Sequence, residues 1–314
     1  MFTHYFRFAC RGTAAAQRAP LLERLLARAD SSTTVTDWRA DAFRIIAPAT
    51  AVMPGVGALT LYSELGALDS AAPDAAALNS AAVIVATPVH YLAEMSNVRL
   101  AADGIVALRP AEAEALAAEF NRVWHDADIR MVAGRGAELL CIAGQSLSVA
   151  THDPQDALAQ HIEIYLPVGK DAPRVRRLMS EIEMWLFEHA VNRARVAAGA
   201  AVISGLWLWG AGPVLKTLPP ITGWAAGDDL FFKFLVGKRE RAPSVAGVVT
   251  SAVEPGTEGW REVESRWLEG SVAELRAGRI GRLDLSAGSR CFSLSSGALR
   301  RFWRRTRPWW ESFS

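Results

Sequence analysis

The sequence has few of the residues that bind metals or form disulfide bonds. Three cysteines, Cys10, Cys141 and Cys291, are spread over 314 residues without a CxxC pair. Neither a disulfide framework nor a zinc site is indicated, and a reducing compartment is expected. The six histidines form no HxH, HxxxH or HExxH pair, which excludes the short metalloenzyme motifs. A GxSxG nucleophile elbow and a GxGxxG dinucleotide fingerprint are also absent.

A strong net charge is missing too, and no secretory leader is expected. Lys and Arg number 34 against 33 Asp and Glu, so no global field favours nucleic acid or acidic lipid. The first residues have no continuous apolar core, and the cytoplasm is the expected compartment. Residues 196–215 carry no charge, as in a membrane span. Their glycines and Pro213 instead favour a helix end, a buried strand and a glycine loop, so no transmembrane segment is expected.

The pattern along the chain predicts a folded protein of the α/β class. Hydrophobic residues make up 51% and charged residues 21% of the chain, which is typical of globular proteins. The middle of the chain alternates strands and helices, which predicts an α/β fold, with α+β as the alternative, in which mixed sheets are covered by helices. Strands are predicted at 104–108 and near 129–132 and 138–143, with a helix at about 110–124 between them. The longest helix is predicted at 172–198. Three segments are expected: a reduced N-terminal lobe at 1–80, a central α/β domain at 81–215, and a C-terminal α/β region with a basic aromatic tail at 216–314.

A spaced set of residues within 187–212 (FEHAVNRARVAAGAAVISGLWLWGAG) carries a family resemblance. Its members are His189, Val191, Asn192, Arg195, Gly199, Trp207, Trp209, Gly210 and Gly212. This spacing resembles that of the archaeal-type cofactor-independent phosphoglycerate mutases. The better match covers about 82–213, mainly the inserted domain of that family. The resemblance implies a degenerate architecture of the alkaline-phosphatase and phosphoglycerate-mutase type.

Three shorter motifs are similar to those of a bacterial mutase-related group, the regulatory proteins of pathogenicity factors, E type. They are Pro-Val-His at 88–90, Tyr-Leu-Pro at 165–167 and Phe-Trp-Arg-Arg-Thr-Arg-Pro at 302–308. For that group the name implies ancestry and regulation, not a demonstrated reaction.

The catalytic residues that the mutase resemblance implies are not found. That family uses two metal ions, held by Asp and His clusters, to activate a Ser or Thr nucleophile. Val56 and Gly57 stand where the family carries Ser-Asp, and only Asp284 remains as a candidate ligand near the end of the chain. The resemblance therefore implies a non-catalytic protein with no metal and no cofactor. A metal-dependent phosphomutase or phosphatase with unrecognised ligands is the alternative.

A small anionic ligand is one hypothesis for the resembling segment. His189, Asn192, Arg193 and Arg195 lie within two turns near the end of the long predicted helix. Backbone N–H groups from Gly210 to Gly212 would complete a pocket for phosphoryl or carboxylate groups. In the alternative, Asn192 and Arg195 hold the helix end against the strand of Trp207 and Trp209.

The C-terminal tail RRFWRRTRPWW, at 300–310, interleaves five arginines with four aromatic residues. Arg and Trp are frequent hot-spot residues of protein interfaces, which places a protein partner ahead of nucleic acid or an acidic membrane. In the structural alternative, a capping helix packs Phe302 and Trp303 into the body, and its arginines pair with surface carboxylates. The predicted partner-binding residues are Arg300, Arg301, Trp303, Arg304, Arg305, Trp309 and Trp310.

Overall fold

The computed structural model describes residues 2–10, 17–65, 81–95, 97–236, 242 and 244–313. The strands are β1 (Thr3–Phe8), β2 (Ser31–Thr34), β3 (Ala82–Ala93), β4 (Val98–Ile105), β5 (Ile129–Ala133), β6 (Leu139–Ala143), β7 (Gly205–Pro213), β8 (Trp224–Gly227), β9 (Gly247–Ser251), β10 (Arg282–Ala287) and β11 (Arg290–Leu294). The helices are α1 (Pro20–Arg28), α2 (Trp38–Ile46), α3 (Val56–Leu65), α4 (Pro110–Val123), α5 (Pro154–Ala157), α6 (Ala172–Phe187), α7 (Ala190–Ala197), α8 (Leu230–Val236), α9 (Trp260–Val263), α10 (Glu269–Arg276) and α11 (Trp309–Phe313). A π-helical turn, Glu264–Leu268, joins α9 to α10.

The chain forms two compact units. Unit 1 combines Met1–Met53 with Pro219–Ser314, and unit 2 is Pro54–Leu218. The two ends of the chain thus share one unit. The division into three segments at 80 and 215, drawn from the sequence, stays a prediction.

Unit 1 contains a six-stranded mixed sheet in the order β2-β11-β10-β1-β9-β8. The four strands from β10 to β8 are parallel, and β11 and β2 add an antiparallel edge. Phe6 and Phe8 of β1 pack in one core with Leu22 and Leu25 of α1. These leucines recur at helical spacing, so α1 presents one apolar face to the sheet.

Unit 2 contains a five-stranded antiparallel sheet built around β3. One path runs β4-β3-β6-β5, and β7 also pairs with β3. Helices α4 and α6 supply Phe120 and Ile182 to the core over this sheet. The predicted α/β class, with sheets covered by helices, is confirmed for the described residues.

Two expected elements are corrected by the structure. The helix expected at 172–198 is interrupted at Glu188 and His189, so that α6 and α7 are separate helices. The strand expected at 104–108 lies earlier, as β4. By contrast, the uncharged stretch 196–215 does contain a helix end followed by a buried strand, β7. Within the described part of the chain, no helix combines the length and apolar character that crossing a membrane requires.

Candidate functional site

His189 ends one helix and begins the next. Its Nδ1 accepts a hydrogen bond from the backbone N–H of Val191 at 3.1 Å, so the ring acts as the N-cap of α7. Its Nε2 lies 3.0 Å from a carboxylate oxygen of Glu119. Burial lowers the pKa of His189, and the charge of Glu119 opposes that effect. The ring therefore stabilises the start of α7 at the break between α6 and α7.

Asn192 joins three backbone groups in the interior of unit 2. Its Nδ2 donates to the carbonyls of Leu186 and Ile203 at 2.8 Å each, and its Oδ1 accepts from the N–H of Ile203 at 2.8 Å. The side chain is buried. All of these partners belong to the end of α6 and to the segment that leads into β7. Asn192 thus fixes the connection between helix and strand.

The two arginines of the predicted anion site point to different surroundings. Arg195 is buried and donates to both carboxylate oxygens of Glu112 at 3.0 Å and to the carbonyl of Ala201 at 2.7 Å. Arg193 is exposed and donates to the carbonyl of Glu188. Glu112 belongs to α4 and also accepts from Arg109 at the start of that helix. Arg195 therefore connects α7 to the first turn of α4.

The glycines after the tryptophans pack against the start of α3. Gly210 has a φ of +64°, and a Cβ there would lie 2.8 Å from the Cβ of Val56. Its N–H donates to Thr151 Oγ1 at 3.0 Å. A Cβ at Gly212 would lie 2.7 Å from the Cα of Gly55. The positive φ at Gly210 and the close backbone approach at Gly212 explain why these positions are glycine.

Trp207 and Trp209 are both buried in β7. The indole N–H of Trp207 donates to the carbonyl of His152, and that of Trp209 donates to Thr87 Oγ1, each at 2.8 Å. The structure therefore gives the buried members of the predicted anion site, as well as Trp207 and Trp209, hydrogen-bond partners within unit 2. Asn192 holds the helix end against the segment that leads into β7, as the structural alternative expects, whereas Arg195 holds α4 instead. An anion at this place stays a prediction.

The segment in which the sequence resemblance places the nucleophile is tightly packed. Val56 is buried, and a Cβ at Gly57 would lie 2.7 Å from the carbonyl oxygen of Val83 in β3. Cβ atoms essentially never approach backbone this closely, so position 57 accepts glycine alone without a shift of the chain. A side chain with an oxygen for metal or phosphate does not fit there.

Asp284, the remaining candidate ligand, is engaged in the sheet of unit 1. Its carboxylate accepts from Arg282 Nε at 2.6 Å, and its side chain is buried beside Ser293 on the neighbouring strand. Burial raises the pKa of Asp284, while Arg282 and Ser293 lower it. Among the described residues, no three His, Cys, Asp or Glu side chains are grouped so that they could hold a metal ion. These residues do not fit the pair of ions that the mutase resemblance implies.

The C-terminal tail is divided between packed and exposed side chains. Trp309 is fully buried, and its indole N–H donates to the carbonyl of Gln17 at 3.0 Å. Trp310 is half-buried in the same core. Arg301 is half-buried, donates to the carbonyls of Arg28 and Ala29, and pairs with Asp30. These residues pack on the body of unit 1, and the pair of Arg301 with Asp30 is of the kind that the structural alternative expects.

The other part of the tail faces solvent. The structural alternative is wrong for the two rings that it buries, because Phe302 is 79% exposed and Trp303 is 68% exposed. Their rings meet edge to face at 5.4 Å. Arg300, Arg304 and Arg305 are exposed as well. A cavity of about 370 Å³ lies beside these rings. Its walls include Arg24 and Arg28 of α1, which the sequence analysis did not identify, although their four-residue spacing on a helix places them on one face.

Comparison with known proteins gives a partial sequence match. A segment of 103 residues is 32% identical to the 2,3-bisphosphoglycerate-independent phosphoglycerate mutase of Methanosarcina mazei. The match covers 32% of this chain and 26% of that mutase. No family model matches the sequence. The match supports a distant relationship to cofactor-independent phosphoglycerate mutases over one third of the chain.

Two solved structures are similar at low sequence identity. The cofactor-independent phosphoglycerate mutase of Thermoplasma acidophilum aligns over 94% of this chain and 90% of its own, with 13% identity and a TM-score of 0.36. The PH0037 protein of Pyrococcus horikoshii aligns over 97% and 90%, with 10% identity and a TM-score of 0.39.

Proposed function

We propose that this chain is a phosphoglycerate-mutase-related protein that acts by binding a partner protein and does not transfer phosphoryl groups. The partial match to a mutase supports the relationship. The packing of Gly57 against β3 supports the loss of catalysis, because the position where the family carries Asp has no room for a side chain. Val56, at the position of the nucleophile, has no hydroxyl group. The similarity of the C-terminal motif to that of a group of regulatory proteins agrees with a role in regulation.

The observation that carries the partner proposal is the pair of exposed rings, Phe302 and Trp303. Arg301 and Arg304 hold their backbone against the carboxyl end of α1, so the rings are presented on an anchored turn. A partner that covers exposed aromatic rings removes their apolar surface from water, which favours binding. Arginine and tryptophan are also enriched among interface hot spots. An anchored turn limits the conformational entropy lost on binding.

The test combines a double variant with an activity assay. Phe302→Ser with Trp303→Ser removes the exposed rings, while Met184→Ser with Phe187→Ser removes two exposed apolar side chains of α6 in unit 2 as a control. In a pull-down with the full chain as bait, we expect a protein that the wild-type chain and the control both retain. The first variant should not retain it. Binding must then be reproduced with the purified partner.

Turnover is measured on the same preparation. We expect no hydrolysis of p-nitrophenyl phosphate and no isomerisation of phosphoglycerate with Mg²⁺, Mn²⁺ or Zn²⁺. Metal-dependent turnover that survives repurification would contradict the proposal and favour a phosphomutase or phosphatase. Equal partner binding by the first variant and the wild-type chain would contradict the docking role of the rings.

A further inference from the structure

The turn that carries Phe302 and Trp303 is anchored on both sides. Arg301, just before the rings, donates to the carbonyls of Arg28 and Ala29 at 3.1 and 3.3 Å. Arg304, just after them, donates to the carbonyl of Ala29 at 2.9 Å. After it, Trp309 is buried and bonded to Gln17. The carboxyl end of a helix carries partial negative charge, so these guanidinium groups are also favourably placed. The stretch between the anchors lies over α1 and forms the wall of a cavity.

This cavity is strongly cationic. Its volume is about 370 Å³, within the usual range for small-ligand sites. The described residues that line it include no acidic side chain, and they are Arg24, Arg28, Phe302, Trp303, Arg304, Arg305 and Thr306. Four guanidinium groups around one opening repel each other, although water screens exposed charges and the carboxylate of Glu264 acts on Arg24. An anion between the four groups would relieve the remaining repulsion.

The arginines keep most of their donors free for a ligand. Arg28 uses Nη1 on the carbonyl of Leu299 at 3.0 Å, and Arg304 uses Nη1 on the carbonyl of Ala29 at 2.9 Å. Each guanidinium has five N–H donors, so most donors of both remain. Arg24 and Arg305 make no hydrogen bond to the residues that the structure describes. Thr306 adds a hydroxyl to the same wall.

We infer that this cavity binds a phosphate monoester carried on an aromatic group. A phosphate monoester has close to two negative charges at neutral pH and three acceptor oxygens, which several arginines can share. A carboxylate brings one charge and two oxygens, and it matches four guanidinium groups less well. The rings of Phe302 and Trp303 provide an edge or a face for an aromatic carrier. The carrier is a phosphorylated side chain of a partner or a free small molecule.

The inference rests on the proposed function, since the cavity and the docking rings share one segment. The two are separable because a small probe requires no partner. Phenyl phosphate is the first probe, and inorganic phosphate and benzoate test the contributions of ring and charge. A phosphotyrosine peptide and its unphosphorylated form test a protein source, and a short oligothymidylate tests phosphodiesters.

Binding is measured by titration calorimetry on the full chain. We expect phenyl phosphate to bind with a Kd of about 1 mM or below, and inorganic phosphate to bind a few-fold more weakly. Arg24→Gln and Arg305→Gln should each weaken phenyl phosphate roughly tenfold or more, because each removes charge-assisted hydrogen bonds. Arg44→Gln is the matched control, since Arg44 is exposed in the same unit and pairs only with Asp41 among described residues. It should leave the Kd unchanged.

Several results would overturn the inference. The first is that phenyl phosphate does not bind, and the second is that Arg44→Gln weakens its binding as much as Arg24→Gln does. The third is that benzoate binds as tightly as phenyl phosphate. The fourth is that oligothymidylate binds more tightly than phenyl phosphate and that its affinity falls steeply with salt. If the peptide binds only when phosphorylated and more tightly than phenyl phosphate, the source is a protein. If phenyl phosphate binds more tightly than the peptide, the source is a free small molecule. Partner binding that depends on Trp303 without any phenyl phosphate binding would remove the inference and leave the proposed function.

Discussion

Replacing Asn192 distinguishes a structural role from a ligand role for the segment that resembles the mutases. Asn192→Leu keeps the size of the side chain but removes its donors and acceptor. The carbonyls of Leu186 and Ile203 and the N–H of Ile203 then lose the partners that Asn192 gives them at 2.8 Å. An unpaired buried polar group costs about 1–3 kcal/mol.

Three such groups predict a loss of about 3–6 kcal/mol in the free energy of unfolding, allowing for partial relaxation. Domains of this size are stable by about 5–15 kcal/mol, so the variant should lose much of its stability. Asn121→Leu is the matched control. Asn121 makes the same kind of paired contact with the backbone of Met131 at 2.8 Å, but its side chain is half-buried. Water can replace part of those contacts, and we expect a loss of about 1–2 kcal/mol.

The assay is urea unfolding followed by circular dichroism, combined with peptide-resolved hydrogen exchange that assigns the loss to unit 2. A loss below about 1 kcal/mol for Asn192→Leu would refute the reasoning, because it would mean that the three backbone groups find other partners. Unchanged stability together with weaker phosphate binding would favour the anion site that the sequence suggested.

Three further predictions concern the same unit. Gly57→Ala should destabilise the protein by about 1–3 kcal/mol in urea unfolding, because its Cβ would lie 2.7 Å from the carbonyl of Val83. Gly297→Ala is the control, since Gly297 has a φ of −66° and its Cβ would have no contact below 3.8 Å. It should change the free energy of unfolding by less than about 0.5 kcal/mol. Arg195→Met should cost about 3–5 kcal/mol in chemical unfolding, since Glu112 would lose a buried partner, and a loss below about 1 kcal/mol would show that Glu112 is satisfied without Arg195. Burial lowers the pKa of His189 below its ordinary value of 6.5, so its neutral form stabilises the fold fully above that pH, and this contribution is lost as the pH falls from 6.5 toward the lower pKa of the folded state. His189→Asn keeps an N-cap and should flatten this pH dependence of stability between pH 7 and 5, and an unchanged slope would show that another group causes it.

The elements that the sequence predicts well have their signals close together in the chain. Helix α4 follows from Pro110 and an apolar face, and strands β5 and β6 follow from short apolar runs. The interruption between α6 and α7 was missed because the N-cap is a histidine, which is not among the usual capping residues. A local pattern of apolar residues continues through both helices and does not show the break.

Features that depend on distant residues were not predicted. Strand β1 is short and carries charged and polar residues, and its neighbours β9 and β10 lie near the other end of the chain. The arginine-lined cavity likewise joins α1 to the C-terminal tail. Periodicity identifies each piece alone, but only the fold brings Arg24 and Arg28 next to Trp303.

The central place of β1 sets the order in which the nascent protein can mature. His4 pairs with Gly247 and Leu283, so this strand waits for roughly 240 residues of translation, on the order of 10–50 s at the usual rates of synthesis. Unit 2 is contiguous and can complete its sheet during that interval. A ribosome stalled before residue 247 would release a product whose first strand has no neighbour. Such products should be substrates for chaperones and proteases. Removing β9 and β10 from the carboxyl end should leave β1 without the strands that it pairs with.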